Sequence, residues 1–464
     1  STALLAAVLF CVHPVKSEAV CSIGYRADSL AFFFALLSFI VFILHDRFTR
    51  PKKDIVLGVS WLFFALALFS KESAIVLPAL IIAYDGYFRR DSWVTLARNF
   101  RARYGGHVLI AGIYLFLYFF VFRNLTLPNS RLFNNSLSVH VVTMAQIFWF
   151  YAVDLIFPFS IKMVPPVYAP PIDGFTLYRV IFSAGLLAAL VYAGVRMSRS
   201  ARPVSFFILW FLLGLLPVSN LIALPNPMAH RFLYLPSLGF LAVVAIAIEW
   251  LSVQIDRFRP LPHLSKILKT GLVALLILTT YSLNIFWRSD YTVAAELVER
   301  YPRDPKGYFF LGLVYFQHGL FENAKVLLNK SVELGTSDPR AFYTLGLCYS
   351  VFGRDFDRAT EAFNKCIAVY PDFALPYIGV GRILLLQGDR EKALPYFQKS
   401  LKLSPTYSAY GYLIQTFLLE GRTGEAEELL QEASAVLADQ QDLRSLTRML
   451  EQKDTPDYPV DIGI

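Results

Sequence analysis

Side chains able to handle a phosphate and a sugar gather in three short stretches, each beside an apolar run. They are His13, Lys16, Glu18, Arg26 and Asp28 in HPVKSEAVCSIGYRADSL, Lys71 and Glu72 in SKES, and His230, Arg231 and Tyr234 in AHRFLY. Cations at the ends of apolar helices suit a phosphate at a membrane interface, because ammonium and guanidinium groups give its oxygens charge-assisted hydrogen bonds. Carboxylates beside them can orient the cations or sugar hydroxyls, and a carboxylate can also take the proton of an attacking hydroxyl. The chemistry served by such a set is transfer from a lipid-linked phosphosugar. Arg26, Lys71 and Arg231 are the candidate phosphate partners, and His13, Glu18, Asp28, Glu72, His230 and Tyr234 are candidates to line the site. Plainer readings exist for each: Glu18 pairs with Arg26, Lys71 and Glu72 form a solvated tip, and Arg231 snorkels from the start of its helix.

Positioning these residues falls to a chain of 464 residues that is 56% hydrophobic and 17% charged, too apolar for a soluble protein and too polar to be membrane throughout. Runs such as FFFALLSFIVFIL (32–44) and GLVALLILTTYSL (271–283) recur in the first 288 residues at the length needed to cross hydrocarbon, and stop after Arg288. The chain lacks an initiating Met and a signal peptide, and ALLAAVLFCV is short for a span, so the expectation is that it begins inside a membrane helix with sequence upstream. Cys11, Cys21, Cys348 and Cys366 show no CxxC spacing and read as small buried apolar residues, with neither zinc site nor disulfide framework.

The net charge of +8 is concentrated in alternate short loops: Arg47, Arg50, Lys52 and Lys53; Arg89, Arg90, Arg98, Arg101 and Arg103; Arg196, Arg199 and Arg202; Arg257, Arg259, Lys266 and Lys269. That alternation is the positive-inside signal of a polytopic membrane protein and not a nucleic-acid footprint. It places 13–28, SKES (70–73), 123–175 and NLIALPNPMAHR (220–231) together on the opposite face. Residues 55–69 and 74–84 must then be a hairpin with SKES at its tip, both arms short and therefore tilted or bent. The same parity predicts that VVTMAQIFWFYAVDLIF (141–157) lies in the interface or re-enters, with Asp154 facing protein or water. It also leaves the chain after Trp287 on the outer face.

From residue 302 the sequence repeats. Tyr308-x2-Leu311-Gly312-x2-Tyr315 is echoed by Phe342-x2-Leu345-Gly346-x2-Tyr349, by Tyr377-x2-Val380-Gly381-x2-Leu384 and loosely by Tyr410-x2-Leu413-Ile414-x2-Phe417. Turn glycines (Gly319, Gly353, Gly388, Gly421) and alanines (Ala324, Ala359, Ala393, Ala426) follow, and Pro305 stands 34 residues before Pro339. This resembles the tetratricopeptide repeat, in which small Gly and Ala let paired helices approach and aromatics fill the next gap. Four repeats are expected, capped by AEELLQEASAVLADQ, with the Tyr and Phe stripe as core and a concave face suited to a peptide or protein segment.

HPVKSEAVCSIGYRADSL, then SKESAIVLPALIIAYD, then AHRFLYLPSLGF, followed by the repeats, is similar to the transmembrane and tetratricopeptide-repeat-containing O-mannosyltransferase family and its bacterial relatives, over residues 1 to about 440. The resemblance implies an all-α chain with three parts: a GT-C-like polytopic bundle (1–288), a tetratricopeptide-repeat superhelix (289–440) and a C-terminal tail (441–464). It implies a polyprenyl-phosphate (dolichyl-phosphate) sugar donor, typically mannose, as substrate, with transfer to protein Ser or Thr on the extracytoplasmic face and no metal or other cofactor. The setting is a bacterial inner membrane or, in a eukaryote, that of the endoplasmic reticulum, and the repeats hold the acceptor protein on that same outer side. In GT-C enzymes the catalytic acidic residue belongs to the first outer loop, which would precede Ser1, so no residue here inherits the base role and the fragment alone is expected to be inactive. The alternative is a non-enzymatic membrane scaffold whose repeats recruit partners for envelope assembly or secretion. A transporter ranks third, because these runs keep their ionisable groups at the ends and not at the midplane. The sequons NLT (124–126) and NNS (134–136) have meaning only in a eukaryotic lumen.

Overall fold

The structure, a computed structural model, describes residues 1–89, 94, 97, 99–122, 137–161, 174–220, 227–258, 263–437 and 439–452. Arg90, Arg98 and Arg259, both sequons, residues 123–136 and 162–173, and LIALPN (221–226) lie outside the described residues. The chain divides into two compact units, Ser1–Arg288 and Ser289–Ile464. Among the described residues the regular elements are all helical, so the all-α expectation holds.

In the first unit the helices are α1 (Thr2–Val12), α2 (Arg26–Leu44), α3 (Lys52–Ser70), α4 (Leu77–Tyr84), α5 (Phe100–Leu117), α6 (Leu137–Ile156), α7 (Gly174–Met197), α8 (Arg202–Leu215), α9 (Pro236–Phe258) and α10 (Leu264–Phe286). Six helical stretches in it are long and apolar enough to cross a membrane, those built on α2, α3, α5, α7, α9 and α10. Pro14 stops α1: the preceding His13 is held extended at φ −73°, ψ 127°, and the chain resumes in short helical turns, Pro14–Lys16, Ser17–Cys21 and Ile23–Tyr25. The charged stretch read as a loop is therefore mostly helical, and α1 with Pro14–Cys21 makes an apolar pair bent by 52°.

The expectation of two short arms around SKES needs correction. The first arm, α3, is a full 19 residues, and only the second is broken, into a 3-10 turn (Glu72–Val76), α4 started by Pro78, and a π-turn (Asp85–Arg89). Interlocked serines join α2 and α3: each of Ser38 and Ser60 donates to the other's carbonyl, at 2.7 and 2.8 Å. Phe39, Phe42, Phe64, Tyr104 and Trp210 fill the core between α2, α3, α5 and α8.

The bundle has two chemically different ends. At one, Asp46 accepts from Lys53 at 3.0 Å and from both Arg103 terminal nitrogens at 2.8 and 2.9 Å, while Asp85 accepts from Arg103 and from Tyr104 at 2.6 Å. Ser205 donates to Tyr87 at 2.8 Å, which brings the start of α8 to this end as well. Basic loops of the sequence thus gather here, and the three motif stretches gather at the other end. Residues 141–156 of the segment 141–157 belong to α6, which packs antiparallel to α7, with Ser183 bonded to the carbonyl of Ala145 and Trp149 edge-on to Phe182.

The second unit stacks α11 (Asp290–Arg300) and four helix pairs: α12 (Pro305–Gln317) with α13 (Phe321–Glu333), α14 (Pro339–Leu347) with α15 (Phe356–Val369), α16 (Ala374–Leu386) with α17 (Arg390–Leu403), and α18 (Tyr407–Leu419) with α19 (Thr423–Val436). α20 (Gln440–Gln452) closes the stack with Leu446 fully buried. AEELLQEASAVLADQ is therefore no cap: its helix is α19, the second of the fourth repeat, and α20 takes the capping place. The step from Phe342 to Tyr377 is one residue longer than the step from Tyr308 to Phe342, and a π-turn at Cys348–Phe352 absorbs the extra residue. Phe342, Tyr377 and Tyr410 are buried, so the aromatic stripe is core, as expected.

Phe363 is clasped between two glycines: a Cβ on Gly346 would stand 2.5 Å from its ring and one on Gly379 2.6 Å. Gly346→Ala or Gly379→Ala should destabilise the repeats by about 1–3 kcal/mol through overpacking, read as a lower denaturation midpoint; an unshifted midpoint would show that the ring can retreat. Burial pushes the thiols of Cys348 and Cys366 up to about 12. Both should stay neutral and unlabelled by maleimide at pH 8 until the repeats are unfolded, so rapid labelling of the native chain at either position would contradict the packing.

Candidate functional site

Backbone breaks put the charged residues where they meet. After Pro14 the short helix Ser17–Cys21 turns Glu18 inward, and the 3-10 turn His230–Leu233 presents His230 and Arg231 to it. Glu18 Oε1 accepts from Arg231 Nη1, and its Oε2 accepts from the Arg231 backbone N–H at 3.1 Å. Both residues are more than nine-tenths buried. His230 Nε2 lies 3.0 Å from Asp154 Oδ2, and His230 Nδ1 lies 3.9 Å from Glu18 Oε2. Asp154, at the end of α6, faces protein, in line with the expectation for a charge in an apolar run.

A second pair lies alongside. Lys71, extended at φ −162° between α3 and the following turn, donates to both carboxylate oxygens of Asp28, at 2.6 Å to Oδ1. Phe232 links the two pairs, with the Lys71 ammonium 5.5 Å and the Arg231 guanidinium 5.1 Å from its ring centre, and Tyr25 covers Arg231 at 3.8 Å. Tyr151 secures the loop from below, donating to the carbonyl of Ala229 at 3.1 Å and accepting from its N–H at 3.2 Å.

His13 and Tyr234 border this cluster as framework. His13 Nδ1 accepts from the Val15 N–H at 3.3 Å, so Nε2 carries the hydrogen given to the carbonyl of Leu155 at 3.1 Å. The carbonyl of Tyr234 receives Lys16 Nζ at 3.2 Å; Lys16 also bonds Ser237 and lies 3.5 Å from the Phe10 ring centre. Arg26 and Glu72 are brought in differently. Both are exposed, and no carboxylate among the described residues pairs with Arg26. Two positions apart in one helical turn, Arg26 and Asp28 point nearly opposite ways, so Asp28 turns into the bundle and Arg26 out of it.

The plainer pairings do not occur. Glu18 binds Arg231 and not Arg26, Lys71 is drawn out of the expected solvated tip by Asp28 while Glu72 stays exposed, and Arg231 is buried instead of snorkelling. The reading of the sequence also passed over Phe232, Tyr25 and Ser17; an aromatic beside a motif arginine was the available signal for the first. It missed the Asp46–Asp85–Arg103 network as well, since counting loop charges treats each arginine alike.

Fold and site together define a helical bundle of membrane-spanning length with a paired-charge cluster at one end, followed by tetratricopeptide repeats. Models described as tetratricopeptide repeat match residues 305–334, 351–408 and 384–450. The chain is 26% identical over 344 residues to a protein O-mannosyl-transferase of Caenorhabditis elegans, covering 72% of this chain and 46% of that one. It is 21% identical to the protein O-mannosyl-transferase TMTC3 of Homo sapiens, covering 87% of this chain and 52% of that one. The likeness to the O-mannosyltransferase family that the motifs carry therefore extends over most of the chain, which spans about half the length of these relatives. Among solved structures, a thermophilic tetratricopeptide-repeat protein of Thermus thermophilus aligns with 39% of this chain and 95% of its own, at 20% identity and a TM-score of 0.31.

Removing one partner of a buried ion pair strands the other, at a cost of about 3–5 kcal/mol, whereas removing both charges costs far less. Glu18→Ala and Arg231→Ala should each lower the thermal midpoint in detergent sharply. The double variant Glu18→Gln, Arg231→Met should recover most of that loss; additive losses would show that the pair is not coupled.

Proposed function

We propose that this chain supplies the donor-site end and the acceptor-holding repeats of a GT-C glycosyltransferase. It transfers a sugar, mannose by the family likeness, from a polyprenyl phosphate to Ser or Thr of a protein on the extracytoplasmic face. The observation that carries this is the cluster at the motif end, where Arg231 and Lys71 stand against one Phe232 ring, each locked to a buried carboxylate. The relatives named protein O-mannosyl-transferases support the reaction class. Tetratricopeptide repeats suit a protein partner, which here is the acceptor.

In such a transfer the acceptor oxygen attacks the anomeric carbon, the bond from that carbon to the phosphate oxygen breaks, and the acceptor proton passes to a carboxylate base. Displacement from the far side inverts the anomeric carbon. A phosphodiester becomes a monoester, so negative charge grows on the leaving phosphate and a cation facing it stabilises the transition state more than the ground state. Lys71 and Arg231, already neutralised by Asp28 and Glu18, shape the wall of the pocket. Arg26, exposed in the first turn of α2, has no carboxylate partner among the described residues and so has its charge available. Leu283 and Trp287 of the last membrane helix stand near Glu18 and His230, which supports a chain that leaves the membrane on the motif side.

In full-length protein reconstituted with radiolabelled polyprenyl-phosphate mannose and a Ser/Thr acceptor peptide, Arg26→Gln should cut transfer about tenfold or more, the weight of one charge-assisted phosphate contact. The thermal midpoint should not move. Unchanged turnover would remove Arg26 from the donor site, and a wild-type protein that binds the acceptor but never transfers mannose would favour the scaffold.

A further inference from the structure

Behind the Glu18–Arg231 pair lies a small, partly open cavity of about 10 Å³. Its polar lining is Ser17, Glu18 and His230, and its apolar walls are Ile161, Leu283 and Trp287. The space is too small for a sugar, a phosphate or a hydrated ion, and matches one water molecule.

We propose that this cavity is a binding site for one water, and that the water joins His230 to Glu18 and so fixes the Arg231 guanidinium. Two independent features point to it. Ser17 is 5% exposed, and its Oγ, against the cavity, has no hydrogen-bond partner among the described residues, a cost that a water removes. His230 Nδ1 and Glu18 Oε2 stand 3.9 Å apart, too far for a direct hydrogen bond and close enough for one bridging oxygen.

Neither group is free to close that gap. The His230 ring is tethered by Nε2 to Asp154 at 3.0 Å, and the Glu18 carboxylate is held by the side chain and the backbone N–H of Arg231. With the water in place, Ser17, His230 and Glu18 give it three partners, within the two to four that hold buried waters. A continuous chain then runs from Asp154 through His230, the water and Glu18 to Arg231. His230 and Ser17 are positioning residues in it, acting through the water to set where the carboxylate and guanidinium lie.

The test is a cryo-electron microscopy map of the full-length protein in lipid nanodiscs, at a resolution that shows ordered water. One peak within hydrogen-bonding distance of Ser17 Oγ, Glu18 Oε2 and His230 Nδ1 is expected. An intact cavity without a peak, or direct contact between His230 and Glu18, would overturn the proposal. Ser17→Val fills the space and should abolish the peak, and the milder Ser17→Ala should weaken it with the fold kept. The kinetic arm rests on the proposed transfer reaction: Ser17→Val should raise KM for the lipid-linked donor about fivefold with kcat little changed, the signature of lost positioning in the donor site. A fall in kcat alone would remove the positioning role. The water peak does not depend on sugar transfer, so failure of the function and failure of this site are told apart.

Discussion

A charge carried into the end of an apolar bundle must find its opposite within the protein, because lipid offers it neither hydration nor a counter-ion. That requirement organises the first unit. Glu18 and Arg231 are 213 residues apart in sequence, and their pairing draws the bent segment after α1 onto the turn before α9. Asp28 and Lys71 do the same for the start of α2 and the end of α3. At the far end of α2, Asp46 is taken by Arg103 and Lys53, so this helix has a captured carboxylate at each end. Apolar packing between helices tolerates sliding and rotation, whereas an ion pair between helix ends sets both, and the Ser38–Ser60 contact at mid-helix fixes the α2–α3 register again.

The two ends use their charges differently. The Arg103 network has guanidinium, carboxylates and the Tyr104 hydroxyl satisfying one another directly, with Phe42 as a stacking face. The motif end distributes its charge over two separate pairs with an aromatic ring between them, and keeps a cavity behind one of them. The first arrangement closes a helix bundle. The second leaves rings and internally paired charges around a small cavity.

What the sequence made legible follows the range of the interactions involved. The repeats were readable because their rule is local: Gly312, Gly346 and Gly381 each follow a Leu or Val at a spacing that recurs every few dozen residues. The apolar spans were readable from length alone, and the three motif stretches did come together at one end. Partners were not readable, since composition names charge types and leaves the pairing to the fold; the nearby choice of Arg26 for Glu18 lost to a partner 213 residues away, and Lys71, expected at a solvated tip, found Asp28 43 residues away. The expected cap failed for a related reason. α19 and α20 are both amphipathic, and only Ala426 in the fourth repeat's register marks the former as an internal helix. The opposite fates of Arg26 and Asp28 were within reach, given that both fall in the first turn of a helix.

Whether a cation is present matters less for function than whether its charge is already paired. A phosphate approaching Arg231 or Lys71 meets a neutral pair whose carboxylate repels it, and drawing the cation away would strand Glu18 or Asp28 in a buried setting. Arg26 is exposed and has no carboxylate partner among the described residues, so engaging its charge would strand nothing in the bundle. Arg231 is further held between rings, with Tyr25 at 3.8 Å and Phe232 at 5.1 Å from its guanidinium, so rings as well as a carboxylate fix where that paired charge lies.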